Sequence, residues 1–203
     1  MRIIFLGKPA SGKGTQALKL AAQKDFKIIS TGDIIRHEIR TATLIGKQLD
    51  EYMSKGELVP DDIIVDLILS KLNYENVIFD GFPRTINQAK FLETKIKVDK
   101  VIFLHVEDEV VINRIKNRID VLVGKKTIGF ESKQKAEEYI AKHGGEIVKR
   151  NDSDEQIVKK RLNIYQEQTK PLIAYYKSLG RFESVNSDRP IEQVYQDILK
   201  IIR

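Results

Sequence analysis

The chain has 203 residues and no cysteine, which fits one domain with room for small insertions and excludes a disulfide framework, a thiolate zinc site and a catalytic thiol. Its 41% hydrophobic content argues against disorder, and 35 Lys and Arg against 29 Asp and Glu give a net charge of +6 that favours anionic partners without naming them. The apolar run after Met1 is too short for a signal or membrane segment, so the expected address is a reducing cytoplasm with no membrane partner.

The first strand is predicted over Ile3 to Leu6. It is followed by GKPASGKGT, residues 7 to 15, and then by the helical Gln16-Ala17-Leu18-Lys19-Leu20. Lys27 to Ile29 is a second strand. Ile45, Leu49, Tyr52 and Met53 keep helical spacing up to Gly56, and Asp61-Asp62 are expected to cap a helix carrying Ile63, Ile64, Leu67 and Ile68. Val77 to Phe79 and Val101 to His105 are strands, and a helix bearing both Arg114 and Arg118 follows. Between Ile119 and Lys149 the alternation breaks: Gly124, Gly129, Gly144, Gly145, the pair Lys125-Lys126 and a helical piece from Glu131 to His143 read as an insertion. Asp152 and Glu155 form an expected capping box for a long helix with Val158, Leu162, Tyr165, Leu172, Ile173 and Tyr176 inward, kinked at Pro171. Phe182 to Val185 is the last strand. Strands alternating with helices predict an α/β fold with a parallel sheet.

Gly7, Gly12 and Lys13 have phosphate-loop spacing, in which backbone N–H groups and the start of the next helix converge on an anion while the lysine adds a point charge. A tight surface turn is the plainer reading, but a strand before and a helix after supply the context that phosphate binding requires. Ser or Thr usually follows the lysine; here Gly14 intervenes and Thr15 is the nearest hydroxyl. Asp80 ends a strand at the sheet edge where such folds bind ligands, suited to hold Mg²⁺ through its water shell. Arg114 and Arg118, four apart, are expected to project from one helix face toward one ligand. Guanidinium forks match phosphate oxygens as lysine cannot, although for most basic residues solvated surface is the reading to prefer.

In order, GKPASGKGTQA, ISTGDIIR, KGELVPDD, IFDGFPRTINQA, the Arg114 and Arg118 pair and RNDSDEQIVKKRLNIYQEQTKPLIAYY resemble the successive motifs of the adenylate kinase family. The resemblance covers the chain except the insertion. It implies a three-layer α/β/α P-loop fold with a five-stranded parallel sheet: a core of 1–29, 60–116 and 154–203, a nucleoside-monophosphate flap over 30–59 and a lid over 117–153, both mobile. It implies Mg²⁺-dependent transfer between ATP and AMP to give ADP, in a monomer. By this resemblance Ala10, Ser11, Gly12, Lys13, Gly14, Thr15, Arg114, Arg118 and Arg189 surround ATP. Thr31, Arg36, Glu57, Leu58, Val59, Gly81, Arg84, Gln88, Arg150 and Arg161 surround AMP. Lys13, Arg84, Arg118, Arg150 and Arg161 would act during transfer, with Gln88 pairing an adenine edge.

Two departures carry expectations of their own. Ala10 replaces the usual loop glycine, so a negative φ is expected there. The insertion lacks both the four-cysteine zinc site and the tyrosine-histidine pair found in family members, which leaves its fold and its grip on the donor base open; separately, Gly124, Gly129, Gly144 and Gly145 are taken as bending points for closure. His37, His105 and His143 have no metal spacing and read as helix, strand-end and loop residues. Lys159-Lys160-Arg161 has no aromatic platform beside it, so no nucleic-acid partner is expected. The alternatives are a UMP or CMP kinase, a nucleotide-dependent nucleic-acid binder and a silent nucleotide-binding module.

Overall fold

Strand β1 (Arg2–Leu6) sends Ile3 and Phe5 to one face of a sheet and Ile4 and Leu6 to the other, and all four are buried. Such a strand belongs inside a parallel sheet with helices on both faces. The computed structural model, which describes residues 1–69, 72, 74–149 and 154–202, meets that expectation. After β1 come α1 (Lys13–Gln23), β2 (Lys27–Ser30), α2 (Thr31–Arg40), α3 (Leu44–Ser54), α4 (Asp61–Leu69), β3 (Val77–Asp80), α5 (Ile86–Lys95), β4 (Lys100–His105) and α6 (Asp108–Lys116). Next are β5 (Ile119–Val123), β6 (Lys126–Phe130), α7 (Lys133–His143) and β7 (Glu146–Val148). The chain closes with α8 (Glu155–Ile164), a π-helical turn (Tyr165–Thr169), α9 (Pro171–Ser178), β8 (Phe182–Asn186) and α10 (Ile191–Ile201).

The main sheet has the order β2-β3-β1-β4-β8, with every pairing parallel. On one face Ile3, Phe5, Ile78, Ile102 and Leu104 pack with Ala17 and Leu20 of α1 and with Val194, Tyr195 and Ile198 of α10. On the other, Ile4, Leu6, Val77, Phe79 and Val101 pack with Ala89 and Leu92 of α5 and with Leu172 and Tyr176 of α9. Each fully buried side chain of this size contributes about 1.5–3 kcal/mol, so these two layers hold the sheet rigid beneath its loops. The three-layer α/β/α architecture and the five-stranded parallel sheet are those expected from the sequence.

The insertion forms a second, antiparallel sheet of order β6-β5-β7, with α7 laid against it through buried Ala136. The helical piece was legible; its three short strands were not. Val123 pairs with Lys126, leaving Gly124 and Lys125 as a two-residue hairpin turn with Gly124 at φ 59. The insertion's glycines serve mostly as turn residues: Gly144 and Gly145, at φ 72 and 111, carry the chain from α7 into β7. Gly129 lies inside β6 and has a different role, described below.

Other expectations need correction. Helix α6 stops at Lys116, and the Asn117 side chain turns back onto Asn113, so Arg118 lies beyond the helix, just before β5, and does not share a helical face with Arg114. Asp61 is the first residue of α4, but its carboxylate accepts from Thr85 and Gln88. The cap of α8 is Asp154, accepting from the Gln156 N–H at 2.9 Å; Asp152 lies outside the described residues. Before Pro171 the helix widens into the π turn, where Lys170 N–H reaches Tyr165 carbonyl at 2.8 Å, so the proline opens a new helix at its first position. His143 ends α7 and stacks on Tyr139 at 4.4 Å.

Candidate active site

The carboxyl ends of the parallel strands place the candidate residues together. Phe5 and Ser30 are each in register with Asp80, so the loop after β1, the start of α2 and the segment after β3 emerge side by side. Helix α1 begins with no side-chain cap and no acidic residue in its first turn, so its leading N–H groups suit an anion. Gly7 is bare because a Cβ there would sit 2.6 Å from Ser11 Oγ and 2.7 Å from Leu104 carbonyl. Ser11 is fully buried, and Gly12 holds φ 92 as the residue before the helix.

Ala10 has φ 54, which overturns the expected negative value. The left-handed conformation costs a residue with a Cβ roughly 1–2 kcal/mol. Contacts on both sides offset it: Lys8 Nζ pairs with Asp108 at 2.7 Å, and Ala10 carbonyl accepts from Arg114 Nη1 at 3.4 Å. Ala10→Gly is expected to raise unfolding free energy by roughly 0.5–1 kcal/mol, the strain relieved less the added freedom of the unfolded chain; chemical denaturation measures it.

Lys13 folds its ammonium onto Gly7 carbonyl at 2.9 Å, Lys8 carbonyl at 2.6 Å and Ser11 Oγ at 3.4 Å. Burial brings its pKa down to about 8; Asp80 opposes that shift, while Arg84, Arg161 and Arg118 add to it. The side chain is therefore an acid near neutrality. A bound phosphate favours its protonated form and raises its pKa, so anion affinity should be flat below about pH 8 and weaken by up to about tenfold per unit above it. Titration calorimetry with ATP between about pH 7.5 and 9.5 tests this, and Lys13→Met should flatten the profile.

Asp80 ends β3, and its Oδ2 lies 3.3 Å from where a Cβ on Gly14 would stand. Burial pushes its carboxyl pKa up, while Lys13 pulls it down. Gly81 follows at φ 81, where a Cβ would meet Thr31 Oγ1 at 2.7 Å and Arg84 Nη2 at 3.0 Å. Its carbonyl accepts from both, Thr31 Oγ1 at 2.9 Å and Arg84 Nε at 2.8 Å. Gln88 is buried, with Oε1 accepting from Arg84 N–H at 2.7 Å and Nε2 donating to Asp61 at 2.7 Å. Its amide is thus already oriented by protein groups, and Asp61 is a partner that spacing along the chain did not suggest.

Arg36 donates to Asp33 Oδ1 at 2.6 Å, beside a bare Gly32. The same carboxylate accepts Thr127 N–H from β6 at 3.2 Å, and Arg40 reaches Lys125 carbonyl at 3.4 Å, so the tip of the insertion touches α2. Val59 is buried and Leu58 half-buried; Gly56 lies against Ile157 and Arg161 of α8. Glu57 pairs with Lys160 at 2.7 Å, and that hydrogen bond lowers its pKa. Lys159 pairs with Glu155 at 3.0 Å, so this basic run is engaged within the protein.

Arg114 Nη2 donates to Ser187 carbonyl at 2.7 Å, tying the loop after β1 to the loop after β8. Arg189 turns to Asp197 and Asn186 carbonyl. Arg118 and Arg161 line a cavity of about 260 Å³ with Pro9, Ala10, Asp120 and Lys149. Arg150 lies outside the described residues. The structure therefore gathers Lys13, Thr31, Asp80, Gly81, Arg84, Arg118 and Arg161 about one cleft, while Arg189 is engaged with Asp197 and Asn186. Among the described residues no group of three or more His, Asp or Glu forms a metal cluster, and no helix is long and apolar enough to cross a membrane.

A family model described as adenylate kinase matches residues 5–181. Among curated relatives, an adenylate kinase of Lachnospira eligens is 40% identical over 212 aligned positions, covering 100% of both chains. One of Methanothrix thermoacetophila is 37% identical, covering 100% of this chain and 98% of its own, and one of Mesoplasma florum is 40% identical, covering 98% and 99%. Motif order, fold and full-length similarity agree: this chain belongs to the adenylate kinase family.

Proposed function

We propose that the chain catalyses reversible, Mg²⁺-dependent phosphoryl transfer from ATP to AMP, giving two ADP. The observation that carries this reading is the convergence of cations on one cleft: Arg84, Arg161 and Arg118 all lower the pKa of a buried Lys13 beside Asp80. A phosphate monoester carries roughly −1.5 to −2 charges at neutral pH, so two such substrates repel strongly without this set. The acceptor is already an anionic oxygen, so transfer needs no general base, and catalysis rests on in-line positioning and charge stabilisation.

In this reading Ala10 to Thr15 hold the donor phosphates, with Lys13 on the outer ones, Arg118 near the transferred group, and Arg114 and Arg189 at the donor rim. Thr31, Arg36, Glu57, Leu58, Val59, Gly81, Arg84 and Gln88 form the acceptor pocket, and Arg150 and Arg161 bridge both. Asp80, with Gly14 against it, offers a hard oxygen donor of the kind Mg²⁺ takes alongside water and phosphate. The ion supplies charge neutralisation across the phosphates when bound. Segments 30–59 and 117–153 act as closing flaps over a core of 1–29, 60–116 and 154–203, excluding water as a competing acceptor. The contacts of Thr127 and Lys125 with α2 support a closed arrangement. We infer a cytoplasmic monomer.

The test is a coupled assay with ATP and Mg²⁺ offering AMP, CMP, UMP and GMP in turn. Fastest turnover with AMP is expected; preference for a pyrimidine monophosphate would replace the acceptor assignment with the UMP or CMP reading, leaving the fold untouched.

A further inference from the structure

We propose that Asp120 is a positioning residue that aims Arg118 at the transferred phosphate, an inference that rests on the role given to Arg118 above. Arg118 Nε donates to Asp120 Oδ1 at 2.9 Å, and Nη2 forms an ion pair with the same oxygen at 2.8 Å. Asp120 sits in β5, the central strand of the small sheet, between Gly129 on β6 and Val148 on β7. Its side chain is only 7% exposed, against 29% for Arg118. A carboxylate there is costly unless paired, so its presence on an inward position of a strand asks for a reason.

Gly129 supplies a second, independent observation. It has ordinary strand geometry, so backbone freedom does not explain it; instead a Cβ would come within 2.5 Å of Arg118 Cζ and 2.6 Å of Nη2. The strand is bare where the guanidinium lies. Carboxylate beneath and glycine beside together fix the plane of a side chain that otherwise has much rotamer freedom.

The chemistry of the fork gives the consequence. A guanidinium has five N–H donors in one plane, and Asp120 engages the Nε edge, so Nη1 and the second N–H of Nη2 remain for phosphate oxygens. Arg118, Asp120 and Arg161 line the same cavity with Pro9 and Lys149, so the fork is held at the boundary between the phosphate loop and the small sheet. Because Arg118 directly precedes β5 and Asp120 lies within it, two residues on, they travel together when the sheet moves, and the fork arrives already oriented.

The experiment measures steady-state kinetics and thermal stability of the full chain and its Asp120→Asn, Gly129→Ala, Arg118→Met and Asp120→Asn/Arg118→Met variants. Asp120→Asn and Gly129→Ala should each lower kcat by about tenfold or more, with KM for AMP changed by less than about twofold. The double variant should be no slower than Arg118→Met alone, because Asp120 acts through that guanidinium. Losses that add in the double variant, or a kcat within about twofold of the parent chain for the single Asp120 and Gly129 variants, would overturn the proposal. Gly129→Ala decides the matter if Asp120→Asn does not fold. A parent chain that transfers no phosphate, or Arg118→Met as fast as the parent, overturns the site reading itself and is told apart from failure of the Asp120 role alone.

Discussion

Lys13→Met is expected to fold normally and to transfer phosphate roughly 10²–10³-fold more slowly, the loss typical of one preorganised charge-stabilising donor. Among the described residues the ammonium bonds to Gly7 and Lys8 carbonyls and Ser11 Oγ within its own loop, so its removal leaves the two apolar layers of the sheet intact. Its charge is held against burial and against three arginines, so it is a group whose full value appears when phosphate arrives. Single-turnover kinetics beside a thermal melt separate the two effects. A variant that melts normally yet transfers within about tenfold of the parent would remove Lys13 from the charge-stabilising set.

Arg84→Lys is expected to keep the charge and lower kcat by about 10²-fold, with the KM for ATP nearly unchanged. Arg84 does two jobs that a lysine cannot combine. Its Nε donates to Gly81 carbonyl at 2.8 Å, which fixes the guanidinium plane, while its terminal nitrogens lie beside Gly81, which has no side chain to obstruct them. Its backbone is held as well, N–H to Gln88 Oε1 at 2.7 Å and carbonyl from Thr169 Oγ1 at 2.9 Å, so the side chain leaves a rigid base. An ammonium has neither the fork nor the second anchor. Turnover of Arg84→Lys within about twofold of the parent would show that charge alone suffices there and would take the residue off the list of transfer groups.

The strands and helices of the core were legible because their apolar spacing is local: Ile3 to Leu6, Val77 to Phe79 and Val101 to His105 each mark a strand buried on both faces. The phosphate loop was legible because glycine spacing and flanking elements report the same geometry. Ala10 was misread because its left-handed backbone is imposed from outside the loop, by Lys8 on Asp108 and by Arg114 on the Ala10 carbonyl, across about a hundred residues. Arg118 was misread because spacing from Arg114 extends a helix that the Asn113 and Asn117 contacts end first. The three strands of the insertion are short, and only Asp120 and Val121 in them are buried, so they carry little apolar signal. The Asp61 bond to Gln88 and the Asp33 bond to Thr127 join residues distant in the chain, and only the folded backbone reveals them.

A crowd of cations in one closing cleft lets two phosphorylated nucleotides meet end to end. The most direct test is calorimetric titration of the full chain with two adenosines joined by a five-phosphate bridge, compared with ATP and AMP added singly. Binding at least about 10²-fold tighter than ATP alone is expected, weakened by Lys13→Met and by Arg84→Lys. A bridged ligand that binds no more tightly than ATP would contradict it.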